Sequence, residues 1–320
     1  MKSAPPSLLL VLCLGLGCQG GPLSVEDAVS RARANALLPA ARVQAQSRLG
    51  GGLAHRPPPA AARERHTAAL ELSLAVLGED LTAWVWAGRQ LGYLGRYRAA
   101  VDHFSLALEL FGDDAELLRH RGHRYITLRQ FAAAQADLAR AWQLVAEGPD
   151  RVEPDGLPNE AGIPRSTLKT NVLYHLALAC YLQGDFAGAA RAWGHCLAIS
   201  PNDDMRIAAA CWLANALRRD GRKEEAARAI AFIRPQMDII ENDSYHRLLL
   251  HYRGELDADG VRGEVVAGTV DSPTVAYGLA QELLHRGEGA AARAALEGVT
   301  SGEVWAAFGF IAAEADLARR

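Results

Sequence analysis

"WVWAGRQLGYLGRYRAAVDHFSLALEL", residues 84–110, carries Trp84, Gly88, Ala100, Phe104 and Ala107; similar residue types return 34 positions later as Leu118, Gly122, Ala134, Leu138 and Ala141. A constant offset at five positions marks an internal repeat. Alanine and leucine dominate, only 7% of residues are aromatic, and few stretches show the Val/Ile/Thr alternation of a sheet. The expected fold class is therefore all-α. Each helix pair of such an array buries its apolar stripe only by stacking on the next, and the accumulated twist leaves a concave surface.

The spacing resembles the tetratricopeptide repeat, in which a small residue on helix A and alanines on helix B let two backbones approach closely. That resemblance implies a TPR-like right-handed α-solenoid of helix-turn-helix repeats. A third copy holds Leu173, Ala177, Gly184, Phe186, Ala189, Trp193, Cys196 and Pro201, and a fourth, displaced by "NDDMR", holds Ala210, Ala214, Leu217, Gly221, Ala226 and Ile230. A weaker fifth uses Ala280, Gly287, Ala292 and Leu296, and "GEVWAAFGFIAAEADLARR" supplies a closing helix. The array proper is placed at 66–235, interrupted by a loop insertion at 149–169, with degenerate TPR-like helices over 236–320. Residues 21–65 read as a short helix, capped by Ser24 and stopped at Pro39, followed by a Gly/Pro-rich tether over 50–59.

Residues 1–20 read as an export signal: Lys2, an apolar run from Leu8 to Leu16, then small residues. Cys18 after Leu16-Gly17 resembles the lipobox of bacterial lipoproteins, which would lipidate that cysteine. Gly15 stands where the motif takes leucine, so ordinary cleavage is the alternative. The expected location is the periplasm or the membrane surface of a bacterial envelope, with membrane attachment only through such an anchor. Past the signal run, Cys180, Cys196 and Cys211 form an odd trio, read as apolar gap-fillers with one disulfide as the minority reading. A formal net charge of −3, with acids and bases interspersed, gives no field for a nucleic-acid partner.

In tetratricopeptide proteins certain helix A places face the groove. By that register the resemblance places Arg89 of the first copy, Arg119, His120 and His123 of the second, Asn171, Tyr174 and His175 of the third, and Asn215 with Arg218 of the fourth on the concave side. In "RHRGHRYITLRQF", residues 119–131, Gly122 and Tyr125 are assigned to packing, while Arg119 and His123, four apart, share a face. Such a surface seeks anions, although the same groups could equally pair with acids of a neighbouring loop. Some tetratricopeptide proteins hold a C-terminal carboxylate in a Lys/Asn/Arg clamp; here His123 stands where the clamp has asparagine.

The insertion supplies those acids. Prolines and glycines deny it a helix until Ser166 or Thr167 caps the next one, and Glu153, Asp155, Asn159 and Glu160 could neutralise Arg119 and His123 as a lid. "RHRGHRY", "EPDGLPN", "IPRSTL", "YHLALACYLQGDF" and "IENDSYHRLLLHYRGE" are similar to segments of bacterial tetratricopeptide proteins without an assigned function, which implies a shared structure around the insertion but transfers no reaction. No HExxH run, paired CxxC, phosphate loop or nucleophile elbow is present, so neither a metal nor a cofactor is expected and catalysis is the disfavoured class. The favoured function is a scaffold whose concave face binds an envelope protein or extended peptide. The alternative is a small anionic ligand or metal, with possible chemistry, under the 149–169 loop.

Overall fold

The computed structural model describes residues 23–155, 157–263 and 265–319; the export run and Cys18 lie outside them. Four helix hairpins stand at the four strongest copies of the repeat: α3 (Leu81–Tyr93) with α4 (Tyr97–Phe111), α5 (Ala115–Thr127) with α6 (Phe131–Val145), α7 (Leu168–Gln183) with α8 (Phe186–Ile199), and α9 (Asp203–Arg219) with α10 (Lys223–Ala229). Before them come α1 (Val25–Leu37), strands β1 (Val43–Gln46) and β2 (Gly52–Ala54), and α2 (Ala60–Ala75). After them come α11 (Asp243–Tyr252), α12 (Ala258–Arg262), α13 (Asp271–His285), α14 (Gly289–Thr300) and α15 (Phe308–Ala318). The chain is an all-α, TPR-like solenoid with one small hairpin among the described residues.

The repeat offset has a steric cause. A Cβ on Gly122 would sit 2.7 Å from Leu138 Cγ, and one on Gly88 would collide with the Phe104 ring, so the small residue of each helix A marks where helix B crosses it. Helix starts are fixed by side-chain caps: Asp80 accepts from Thr82, Asp114 from Glu116 and Leu117, and Asn202 from Met205. Thr167 and Thr170 form a reciprocal cap on α7. Each such cap contributes about 1 kcal/mol.

The array curls tightly enough that its inner helices meet. Tyr181 of α7 and Tyr277 of α13 share a hydroxyl hydrogen bond of 2.7 Å, and Tyr174 and Tyr245 of α11 share one of 3.1 Å. Trp193, Trp212 and Tyr277 stack in series at 5.5 and 5.6 Å. Helix α15 then folds back onto α7, α13 and α14 and joins the same core through Phe310, Ile311 and Ala312. The expected closing helix thus does more than cap the end: it fills the inside of the curve.

Residues 50–59, where the sequence suggests a tether, are held to the array. Gly50 and Gly51, both at positive φ, make the turn between β1 and β2. Trp305 Nε1 donates to Ala54 O at 2.9 Å, His55 Nε2 meets Leu94 O at 3.0 Å, and Arg98 Nε donates to Gln44 O at 2.6 Å. Cys180, Cys196 and Cys211 are buried free thiols, and burial pushes Cys180 up to about 11 and the other two up to about 12. No described helix is long and apolar enough to cross a membrane.

Candidate functional site: a loop-covered arginine and histidine cluster

The insertion is zipped at its base. Glu153 N–H donates to Ser166 O at 3.0 Å and Leu168 N–H to Arg151 O at 2.9 Å, with Val152 bridged to Thr167. This short antiparallel closure lays Glu153 across α5 and α7, where it is 4% exposed. One carboxylate oxygen lies 3.4 Å from Arg119 Nε and accepts from Asn171 Nδ2 at 2.6 Å; the other lies 3.1 Å from His120 Nε2. Burial alone would raise the Glu153 carboxyl, but Arg119, His120 and Asn171 outweigh it and hold it well below the usual carboxylate range.

Arg119 Nη1 donates to His120 Nδ1 at 2.7 Å, which leaves the neutral His120 ring its proton on Nε2, facing Glu153. Burial and the Arg119 charge lower His120 to about 3. The ring stacks on Phe104 with centroids 5.7 Å apart. His175 Nδ1 donates to Asn171 O at 2.6 Å and is likewise lowered to about 3, first by burial and then by Arg119. His123 lies well below its ordinary value, because burial, Arg124 and His175 all oppose a charge there.

Arg89 lies over the Trp86 ring at 4.3 Å and donates to Pro154 O at 2.8 Å, fastening the loop to α3. Asp155 sits near Arg89, its carboxyl raised by partial burial. The outer half of the loop takes no part: Asn159 bonds to Ile163 and Glu241, and Glu160 is exposed. Glu153, with Asp155 beside Arg89, is thus where the lid meets the cluster.

The expected open groove over the third and fourth copies is occupied. Phe308 approaches His123, His175 and Tyr174 with ring centroids at 5.3, 5.6 and 6.4 Å. Tyr174 and His175 are buried, Asn215 is buried beside Tyr252, and Arg218 pairs with Glu282 at 2.9 Å. These four residues pack the curled interior instead of facing solvent. Among the described residues, the end near α3 keeps access through Trp86, Arg89, Tyr93, His123 and Arg124.

At that end a cavity of about 120 Å³ is walled by Arg89, Tyr93, Arg119, His120, His123 and Arg124. Larger hollows exist, of about 610 Å³ between α13 and α14 and about 670 Å³ beside β1. The first has mainly apolar walls, and in the second Arg98 and Arg129 are already bonded to Gln44 and Glu314. The smaller cavity is where Arg89, Arg119, His120 and His123, all expected on the groove, converge. Arg124 and Phe308 were not among the residues read from the sequence; Arg124 stands one helical turn past His120 and so on its face, a spacing that points to it, whereas nothing local announces Phe308.

Glu116, His120 and Glu153 each bring one donor atom within 4.8 Å of the others, a set that could hold a metal ion. The Glu116 carboxylate is bonded to Arg151 at 2.7 Å, and Glu153 is held by Arg119, His120 and Asn171. A cation would have to displace those partners and sit beside guanidinium groups.

The fold defines a helical-hairpin array of the kind built from tetratricopeptide repeats, which generally serve protein–protein interaction. The tetratricopeptide repeat family profile matches residues 170–203, covering α7, α8 and the turn that follows. Among solved structures the chain is similar to MamA of AMB-1, with 15% identity over 65% of this chain and 86% of that one and a TM-score of 0.39. It is similar also to a tetratricopeptide repeat protein from Parabacteroides merdae, with 13% identity over 78% of each chain and a TM-score of 0.42. No curated protein sequence matches.

Proposed function

We infer that the protein is an exported, non-catalytic interaction scaffold of the bacterial cell envelope that takes a protein or extended peptide at the open end of its concave side. The repeat matched at 170–203, stacked in register with its neighbours, is the observation that carries the scaffold role. The envelope location rests on the apolar run Leu8 to Leu16 behind Lys2, with Cys18 as the candidate lipid attachment. Since Phe308, α13 and α15 fill the inside elsewhere, a partner would meet the half-exposed Trp86, Arg89 and Tyr93 of α3 beside Pro154 and Asp155 of the loop. An aromatic plane and a guanidinium group are the residue types that anchor binding surfaces.

Two measurements test this reading. Cell fractionation with mass spectrometry of the mature N-terminus should find the protein in the envelope, starting at or near Cys18. Crosslinking from intact envelopes should recover the same partner with native protein and lose it with Trp86→Ala plus Arg89→Ala. A cytosolic protein with its first twenty residues intact, or a partner indifferent to that double variant, contradicts it.

A further inference from the structure

We propose that the cavity between α3 and α5 is a binding site for a small oxyanion, with the Arg119 and Arg124 guanidinium groups as its cationic walls and Arg89 at its mouth. It stands apart from the scaffold role and needs no partner protein.

The charge balance of the cavity carries the proposal. Three guanidinium groups wall it, and no carboxylate does. Arg119 is committed to Glu153 and His120, and Arg89 to Pro154 O and the Tyr93 hydroxyl. Arg124 lies over the Tyr97 ring at 5.5 Å, and no described residue offers it a hydrogen bond or a carboxylate. The guanidinium is half-exposed at the cavity wall and its donors are uncommitted, so they can take an anion that enters from solvent.

Room is made deliberately on the α3 side. A Cβ on Gly92 would sit 2.8 Å from Arg124 Nη1, so the missing side chain is what lets that guanidinium lie against α3. A cavity of about 120 Å³ is slightly smaller than the roughly 150 Å³ that admits benzene. It suits an anion of about four or five heavy atoms, a tetrahedral phosphate or a short carboxylate. Fork-shaped arginine donors match the oxygens of either. Arg89, Tyr93, His123 and Arg124 keep partial solvent access, which leaves a way in.

The test uses the full-length protein at constant ionic strength, titrated with inorganic phosphate, acetate or Zn²⁺ against a chloride control, and read by thermal midpoint and calorimetry. Expected is a saturable 1:1 rise in midpoint with phosphate or acetate, the stronger arm identifying the anion. Arg124→Gln should weaken that binding at least tenfold while changing the unliganded midpoint little, because the half-exposed guanidinium holds no hydrogen bond within the fold; a structural arginine would lower it. Gly92→Ala, which crowds Arg124, should weaken binding as well. A midpoint that responds to neither oxyanion beyond chloride, a response to Zn²⁺ alone, or equal affinity in Arg124→Gln overturns the proposal.

Discussion

Arg129 Nη2 donates to Glu314 Oε2 at 2.7 Å across 185 residues of chain, and the two side chains are 3% and 1% exposed. Arg129 is also the one non-glycine residue at positive φ among those described, 65°, so the turn between α5 and α6 is shaped to aim it at α15. Further donors surround the pair: Arg129 reaches Thr127 O and Trp305 O, and the Arg48 amide donates to the other Glu314 oxygen. This is the latch that holds the last helix inside the curve.

Removing one partner of a buried pair leaves the other charge stranded. Glu314→Ala should therefore cost about 3 to 5 kcal/mol, measured by urea unfolding. Replacing both, as Arg129→Leu with Glu314→Leu, should recover part of the loss, since well-packed apolar groups can substitute for such a pair.

Stability should fall steeply below neutral pH. His103, His120 and His175 fold neutral, lowered by burial to about 4, 3 and 3 from an ordinary 6.5. Between those values and 6.5 the unfolded chain binds more protons than the folded one, so acid favours unfolding across that window. Glu153, held below its ordinary 4.5, adds stability above that value and loses it as pH drops further. Urea midpoints recorded from pH 7.5 to 4 should decline from about 6.5 downward; a flat profile would contradict the neutral, buried histidines.

Gly122→Ala should cost about 1 to 3 kcal/mol by overpacking against Leu138. Gly309→Ala should cost more, because its Cβ would run into the Pro273 backbone rather than a movable side chain. Thermal midpoints of the two variants would order them; equal and negligible effects would contradict the close crossings.

Phe308→Ala should open the inner face over His123 and His175. Water then reaches the His175 ring and more of the His123 ring, and their pKa values should rise toward the ordinary 6.5, which NMR titration of the imidazole protons can follow. Unmoved titrations would place the burial elsewhere.

The repeat was legible because packing is local and periodic: Gly88 and Gly122 must be small where Phe104 and Leu138 cross them. The insertion was legible as a source of acids, but their partner only in part: the reading set Arg119 and His123 under the lid, whereas Glu153 meets Arg119 and His120. What escaped depends on contacts with no period. Gly50 and Gly51 read as linker because the same residues serve tethers and hairpin turns, and only Trp305 and Arg98, remote in sequence, hold that hairpin down. Asn215 and Arg218 read as groove residues because the register locates a helix face without telling that Tyr252 of α11 and Glu282 of α13 will cover it.

Hydrogen exchange of α15 tests the curled, self-filled array most directly. Its amides, with Ile311 and Ala312 wholly buried, should exchange as slowly as those of α7, by global unfolding only. Exchange of residues 308–318 at the rate of a frayed terminus would show that the inner face stands open and that the account of the site beneath it is wrong.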